Sequence, residues 1–345
     1  MSLTSELRDS QSPVRGYFES HFGMAKAVHA SWRSELGDVA TVRPPGDADR
    51  PYPHATAGTA INWRLGLGLG AMRFDIAEEG FGLWREYAFG IHPLQDLGGG
   101  EFLDKRTGSI VESAQPGRDV FSKLEAELLK FCADWSDTRH PLDSTKCEYL
   151  CRRCWALALL EQVFRAGPVA LQGPLSALTP SSSLGDLLAL APGNGVADCC
   201  QLADLAQRPL IEAFADVPQD RRHLDPVFSG SGDVGGADGD FILGDCLLDC
   251  KATINPLPSA SALRPWLWQL LGYVGLDYED EYKLGRVGIY LARQGRCVIW
   301  DMPALLLELS EGRCNSVDQL RAELRALVHV DRGSAAKKRP ASAQP

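Results

Sequence analysis

The sequence predicts an α/β protein, a mixed sheet flanked by helices and carrying a helical insertion. Three observations predict it. Apolar residues recur at helical spacing in six segments of the first 214 residues. From residue 229 onward the pattern changes to short apolar runs bounded by glycine and other turn residues. The chain has 345 residues and is 45% hydrophobic, enough to bury a sizeable core.

The elements follow in order. A helix is expected over 14–30, then a connector rich in proline through Pro44, Pro45, Pro51 and Pro53. Helical spacing returns over 56–69, although Gly66, Gly68 and Gly70 weaken its second half. Residues 119–135 form a stronger helix, with Asp119 as N-cap and Val120, Leu124, Leu128 and Phe131 on one face. Further helices are expected over 144–166, stopped by Gly167-Pro168, and over 184–191 and 198–214. Strands then occupy 241–243 and 246–248, a helix 261–276, strands 286–293 and 296–302, and helices 303–309 and 316–330. This reading gives an N-terminal helical segment and connector over 1–55 and one main domain over 56–330. Its helical insertion spans about 75–228, and 331–345 is expected to be a disordered basic tail.

Composition narrows the function classes. The N-terminus lacks a basic start followed by an apolar run, and no uninterrupted apolar segment reaches about 18 residues, so neither secretion nor a membrane span is expected. Ten cysteines, including the adjacent Cys199 and Cys200, sit mostly inside predicted elements rather than in disulfide-suited loops, which fits a reducing cytoplasm. A formal charge of -10 argues against a protein that coats nucleic acid through bulk electrostatics. Any nucleic-acid contact must be local, metal-assisted or shared with a protein partner or second copy.

The most informative segment is a hairpin. Gly244-Asp245 is a two-residue linker between apolar runs, and glycine at its first position suits the turns that match strand twist. That linker sets Leu243 opposite Cys246, Ile242 opposite Leu247 and Phe241 opposite Leu248. Continued outward, it sets Asp240 opposite Asp249 and Asp238 opposite Lys251. Side chains alternate along a strand, so Asp238, Asp240, Asp249 and Lys251 project from one face and Phe241, Leu243, Cys246, Leu248 and Cys250 from the other. Directly opposed like charges are destabilising. A hard divalent cation such as Mg²⁺, or Mn²⁺ in its place, offsets the repulsion because it prefers carboxylate oxygen and water. It can also lower the pKa of a bound water, which Lys251 is placed to orient or deprotonate.

This segment, from Gly235 through Asp240 to Asp249-Cys250-Lys251 and Thr253, resembles the core motif of the PD-(D/E)xK nuclease superfamily: an acid ending one strand, then Asp-x-Lys on the next. Gln269-Leu-Leu-Gly-Tyr273 resembles the Gln-x-x-x-Tyr motif of its RecB-type exonuclease branch. The resemblance implies a restriction-endonuclease-like fold and metal-dependent phosphodiester hydrolysis, with DNA expected ahead of RNA. It implies a metal held by Asp240, Asp249 and the carbonyl of Cys250, with Asp238 as an additional candidate ligand and Lys251 catalytic. Gln269 and Tyr273 then line the site and help hold substrate. Where that branch offers Gly-x-x-x-His on an early helix, this sequence has Gly58-Thr-Ala-Ile-Asn62. Asn62 can accept a hydrogen bond or bind a metal weakly, and it cannot supply an imidazole nitrogen.

Other signals weigh less. Gly230, Gly232 and Gly235 fit a dinucleotide fingerprint but precede a hairpin strand rather than a helix. Cys147, Cys151 and Cys154 share a helical face and could donate thiolates to a metal or cluster; the spacing fits no ribbon or knuckle, so they read as small buried apolar side chains. Residues 277–281 read as a solvated acidic loop.

Overall fold

Serine side chains start the first two helices. Ser2 caps α1 (Leu3–Arg8) in a capping box, and Ser12 caps α2 (Pro13–His21), whose first position is proline. A third helix, α3 (Lys26–Leu36), follows. The apolar faces of all three are buried. Leu3, Leu7, Val14, Phe18, Phe22, Val28 and Trp32 belong to one hydrophobic core together with residues from the C-terminal third of the chain.

The computed structural model describes residues 2–23, 26–46, 53–70, 73–89, 95–96, 101–104, 109–112, 118–135, 137–179, 181–256 and 259–337. The chain divides into two compact units, one made of residues 1–41 with 216–345 and the other of residues 42–215. This corrects the expected boundaries twice. Residues 1–41 are part of the sheet-bearing unit rather than a separate segment, since the apolar faces of their helices enter its core. The helix expected over 56–69 belongs instead to the second unit. The tail also differs, since helix continues to Lys337; residues 338–345 lie outside the described residues.

The second unit begins with α4 (His54–Gly68) and α5 (Asp75–Phe89), then three short antiparallel strands, β1 (Gln95–Asp96), β2 (Glu101–Asp104) and β3 (Ser109–Glu112). It continues with α6 (Arg118–Asp134), α7 (Ser144–Ala166), α8 (Leu184–Ala189) and α9 (Gly193–Ala206), the last running on into a π-turn over Gln207–Glu212. Helix α5 and the small sheet were not expected. Gly80 and Gly82 weaken the helical signal of α5, and packing decides its state. A Cβ on Gly80 would lie 2.0 Å from the Leu160 carbonyl oxygen of α7, so only glycine allows the two helices this approach. The segment Ser144–Gln172 is apolar and long enough to cross a membrane, but α7 within it is the core helix of this unit. It packs against α4, α5 and α9, and the Glu161 carboxylate accepts a 2.7 Å bond from the buried Trp63 indole.

Returning to the first unit, β4 (Arg222–Leu224), β5 (Phe241–Leu243), β6 (Cys246–Lys251), β7 (Arg286–Leu291) and β8 (Arg296–Asp301) form a five-stranded mixed sheet in chain order. Only the β6–β7 pair is parallel, and α10 (Ala260–Leu276) makes its crossover. Helices α11 (Met302–Ser310) and α12 (Val317–Lys337) complete the unit. The N-terminal helices pack against α10: the Trp268 indole donates to the Phe22 carbonyl at 3.0 Å, and a Cβ on Gly272 would meet Leu3 at 2.8 Å.

The hairpin register near the turn is the expected one, with Leu243 opposite Cys246, Ile242 opposite Leu247 and Phe241 opposite Leu248. Gly244 has φ +70° while Asp245 stays at negative φ, as a glycine-first hairpin turn requires. A Cβ at Gly244 would meet nothing closer than 3.8 Å, so Gly244→Ala should cost only backbone strain, about 1 kcal/mol. Urea denaturation should show this as a lower midpoint at unchanged slope.

Candidate active site

Beyond Phe241 the two strands of the hairpin part, and a side chain replaces the backbone ladder. In a continued ladder the Cys250 N–H would bond across to the Gly239 carbonyl; instead it donates to Asp240 Oδ2 at 2.7 Å. The backbone before Asp240 stays in register with the segment after β4. Val227 bridges to Asp238, Gly239 N–H donates to Pro226 O at 3.1 Å, and Asp225 N–H donates to Asp240 O at 3.1 Å. The ladder between β5 and β6 ends at Phe241 and Leu248, so neither the expected Asp240–Asp249 pair nor the Asp238–Lys251 pair is part of it. The Asp240 carboxylate takes the β6 backbone donor that the next rung would have used.

Asp249 and Lys251 lie on β6 on the same face as Leu247, which belongs to the core shared with α10. Asp249 is 3% exposed. The Lys251 ammonium stands 2.6 Å from Asp249 Oδ2. The contact is a buried ion pair in which the ammonium compensates the carboxylate. Lys251 Nζ also donates to Gln269 Oε1 at 3.2 Å, and Gln269 Nε2 donates to the Tyr273 hydroxyl at 2.8 Å. Gln269 and Tyr273 are one turn apart on α10, which sets them in a row above β6.

The electrostatics bring the acids into one field. Burial alone would depress the Lys251 pKa, but the carboxylates of Asp249 and Asp240 outweigh it and hold the ammonium above its ordinary value. Tyr273 is raised by burial first and then by the negative potential of Asp249, with Asp240 and Asp238 adding to it. Three carboxylates thus bear on one buried hydroxyl, although Asp238 is not opposite Lys251.

Asn62 stands on α4 in the other compact unit, among its packing with α7 and α9.

Four residues adjoin this row, and three of them, Arg8, Arg15 and Arg264, have no place in the sequence reading of the site. A cavity of about 460 Å³ is lined by Lys251 and Gln269 together with Arg8, Arg15, Arg264 and Trp266. Glu19 also lines it and pairs with Arg15 at 2.8 Å. The Arg264 Nε is buried without a hydrogen-bond partner. The cavity wall is cationic in a chain of net charge -10. Trp266 shares the helical face of Gln269 and Tyr273 by its spacing, as the sequence indicates; nothing in the sequence ties Arg8 and Arg15 to a lysine more than 230 residues away.

The donor set suits a hard divalent cation. Asp240 and Asp249 supply carboxylate oxygens, that of Asp249 buried, and the strand backbone at Cys250 lies between Asp249 and Lys251. Comparison with protein-family models, with curated proteins and with solved structures finds no match.

Proposed function

We propose that the chain is a divalent-metal-dependent nuclease of the PD-(D/E)xK type, with a restriction-endonuclease-like core, hydrolysing phosphodiester bonds in DNA. The observation that carries this reading is the buried Asp249 carboxylate on the strand that also presents Lys251, with the Asp240 carboxylate bonded to the backbone between them. Lys251 itself lines a cavity walled by Arg8, Arg15 and Arg264. Two carboxylates bear on one ammonium, and a further cation is the partner that charge balance favours.

Asp240, Asp249 and the Cys250 carbonyl are the residues that would hold Mg²⁺ or Mn²⁺, with Asp238 near enough to influence the same field. When bound, such an ion supplies a water of lowered pKa and neutralises charge on the scissile phosphate. The remaining roles belong to side chains. Lys251, held protonated by the two carboxylates, donates rather than accepts a proton and is positioned to stabilise a phosphate oxygen. Gln269 fixes the ammonium through its Oε1, and Tyr273 fixes Gln269 through its hydroxyl. Arg8, Arg15 and Arg264 offer phosphate contacts leading away from the site, and Trp266 offers a ring for a base to stack on.

The test is a cleavage assay with Mg²⁺ or Mn²⁺ across linear, circular and single-stranded DNA and RNA. No cleavage of any of these would sink the enzymatic reading. Arg264→Ala should weaken DNA binding about equally for all sequences and reduce the salt dependence by about one counterion, measured by fluorescence anisotropy over a salt series.

One observation favours a second reading, a nuclease-fold module that grips nucleic acid or a protein partner without turnover. The Lys251 ammonium already faces Asp249, where it competes with a metal. Calorimetric titration separates the two readings, since a dead module should bind Mg²⁺ and Mn²⁺ poorly.

A further inference from the structure

Three sulfur atoms meet in the helical unit. Cys147 and Cys151 are one turn apart on α7, so their side chains stack on one face, and α9 brings Cys200 to them from 49 residues away. The Cys147 and Cys151 sulfurs are 4.0 Å apart and those of Cys151 and Cys200 are 3.5 Å apart. All three lie within 4.8 Å of one another, and none is in a disulfide. Thiolates about 2.3 Å from a common zinc ion at tetrahedral angles stand about 3.8 Å from each other. The Cys147–Cys151 and Cys151–Cys200 separations bracket that spacing.

A second observation concerns Arg64 on α4. Its side chain is 6% exposed, its Nε has no hydrogen-bond partner, and its guanidinium carbon lies 4.9 Å from the Trp135 ring. Among the described residues it forms no ion pair with a carboxylate. A buried cation demands a nearby anion, and the ionisable groups that bear on Arg64 are the sulfurs of Cys151 and Cys147, then Cys154 and Cys199. Thiolates formed on metal binding would supply the counter-charge.

We propose that Cys147, Cys151 and Cys200 form a thiolate site for Zn²⁺, with Arg64 as the buried cation that neutralises the complex. Charge decides the ion. Three thiolates and Zn²⁺ carry one net negative charge, which Arg64 cancels, whereas a monovalent soft ion would leave the buried assembly anionic. Binding displaces the thiol protons to solvent and involves no change of oxidation state. Three protein ligands leave the fourth position for water, and half-buried Cys200 gives the site its opening. The hard-oxygen site around Asp249 is a different chemistry in the other unit, so this inference goes beyond the nuclease reading and stands without it.

The test uses the full chain, reduced and stripped with a chelator, and titrated with Zn²⁺ against a chromophoric competitor and separately with Co²⁺. One equivalent of Zn²⁺ should bind, and Co²⁺ should give a thiolate charge-transfer band, which the carboxylate site around Asp249 cannot produce. Cys151→Ser and Cys200→Ser should each weaken Zn²⁺ binding by about 100-fold or more, while Cys297→Ser on β8 should leave it unchanged. Cys200→Ser, at the half-buried position, decides the matter if Cys151→Ser fails to fold by circular dichroism. Absence of a thiolate–cobalt band in the wild type, or equal Zn²⁺ affinity in the wild type and Cys200→Ser, would overturn the proposal.

Discussion

Asp249→Asn should lower Mg²⁺-dependent DNA cleavage by about 10³-fold while leaving the protein folded. The substitution keeps the size of the side chain, which matters at a residue only 3% exposed in a packed strand. It removes the charge that a cation needs and sets a neutral amide where the buried carboxylate faces the Lys251 ammonium. The comparison is Asp245→Asn. Asp245 sits at the turn of the same hairpin, but it is partly exposed, and its carboxyl is held below its usual range by the hydrogen bond from Arg286. That variant should cleave at the wild-type rate. A variant series in which Asp249→Asn and Asp245→Asn behave alike would remove Asp249 from the chemistry, and the metal site with it.

How much of this was legible depended on whether the information was local. The hairpin was readable because Gly244-Asp245 fixes its own turn and the turn fixes the next three pairs. Two residues further the reading fails. Pairing rules treat backbone groups as the available partners, and here the Asp240 side chain takes the Cys250 N–H. The α10 motif was readable for the same local reason, Gln269 and Tyr273 being one turn apart. The ownership of residues 1–41 was not, because the apolar stripes of α1 to α3 show that each helix buries a face without showing against what. The same limit hid Arg8 and Arg15 from the site, and hid Cys200 from Cys147 and Cys151, which share a helix. Three-residue β4 lacked a strand-length signal. Residues 277–281, expected to be a solvated loop, contain a fully buried carboxylate. Asp277 accepts from the Glu281 and Tyr282 amides and pairs with Arg321 at 3.4 Å, a partner 44 residues away.

The second large effect is on stability and concerns Lys251→Met. The variant keeps an apolar stem of similar length and deletes the ammonium, so it strands Asp249 as a buried anion. Removing one partner of a buried pair typically costs 3–5 kcal/mol, and about 3 kcal/mol is expected here because the Lys251 side chain keeps 22% of its surface exposed. The sign with pH follows from the raised pKa. The contribution of Lys251 is fully present below the ordinary lysine value of about 10.4 and fades only as pH rises through the higher folded value. The gap between wild type and variant should therefore persist as pH rises from neutrality in urea denaturation and close in strong alkali. Mg²⁺ gives the discriminating arm. If Asp240 and Asp249 hold a cation, the ion takes over the charge compensation that the ammonium supplied, without having to displace it. Lys251→Met should then gain more stability from a given excess of Mg²⁺ than the wild type does; a free concentration 100 times Kd contributes about 2.7 kcal/mol. Equal gains in both proteins would mean that Mg²⁺ does not bind at these carboxylates. A variant as stable as the wild type without metal would mean that the Lys251–Asp249 pair is not the buried charge contact described.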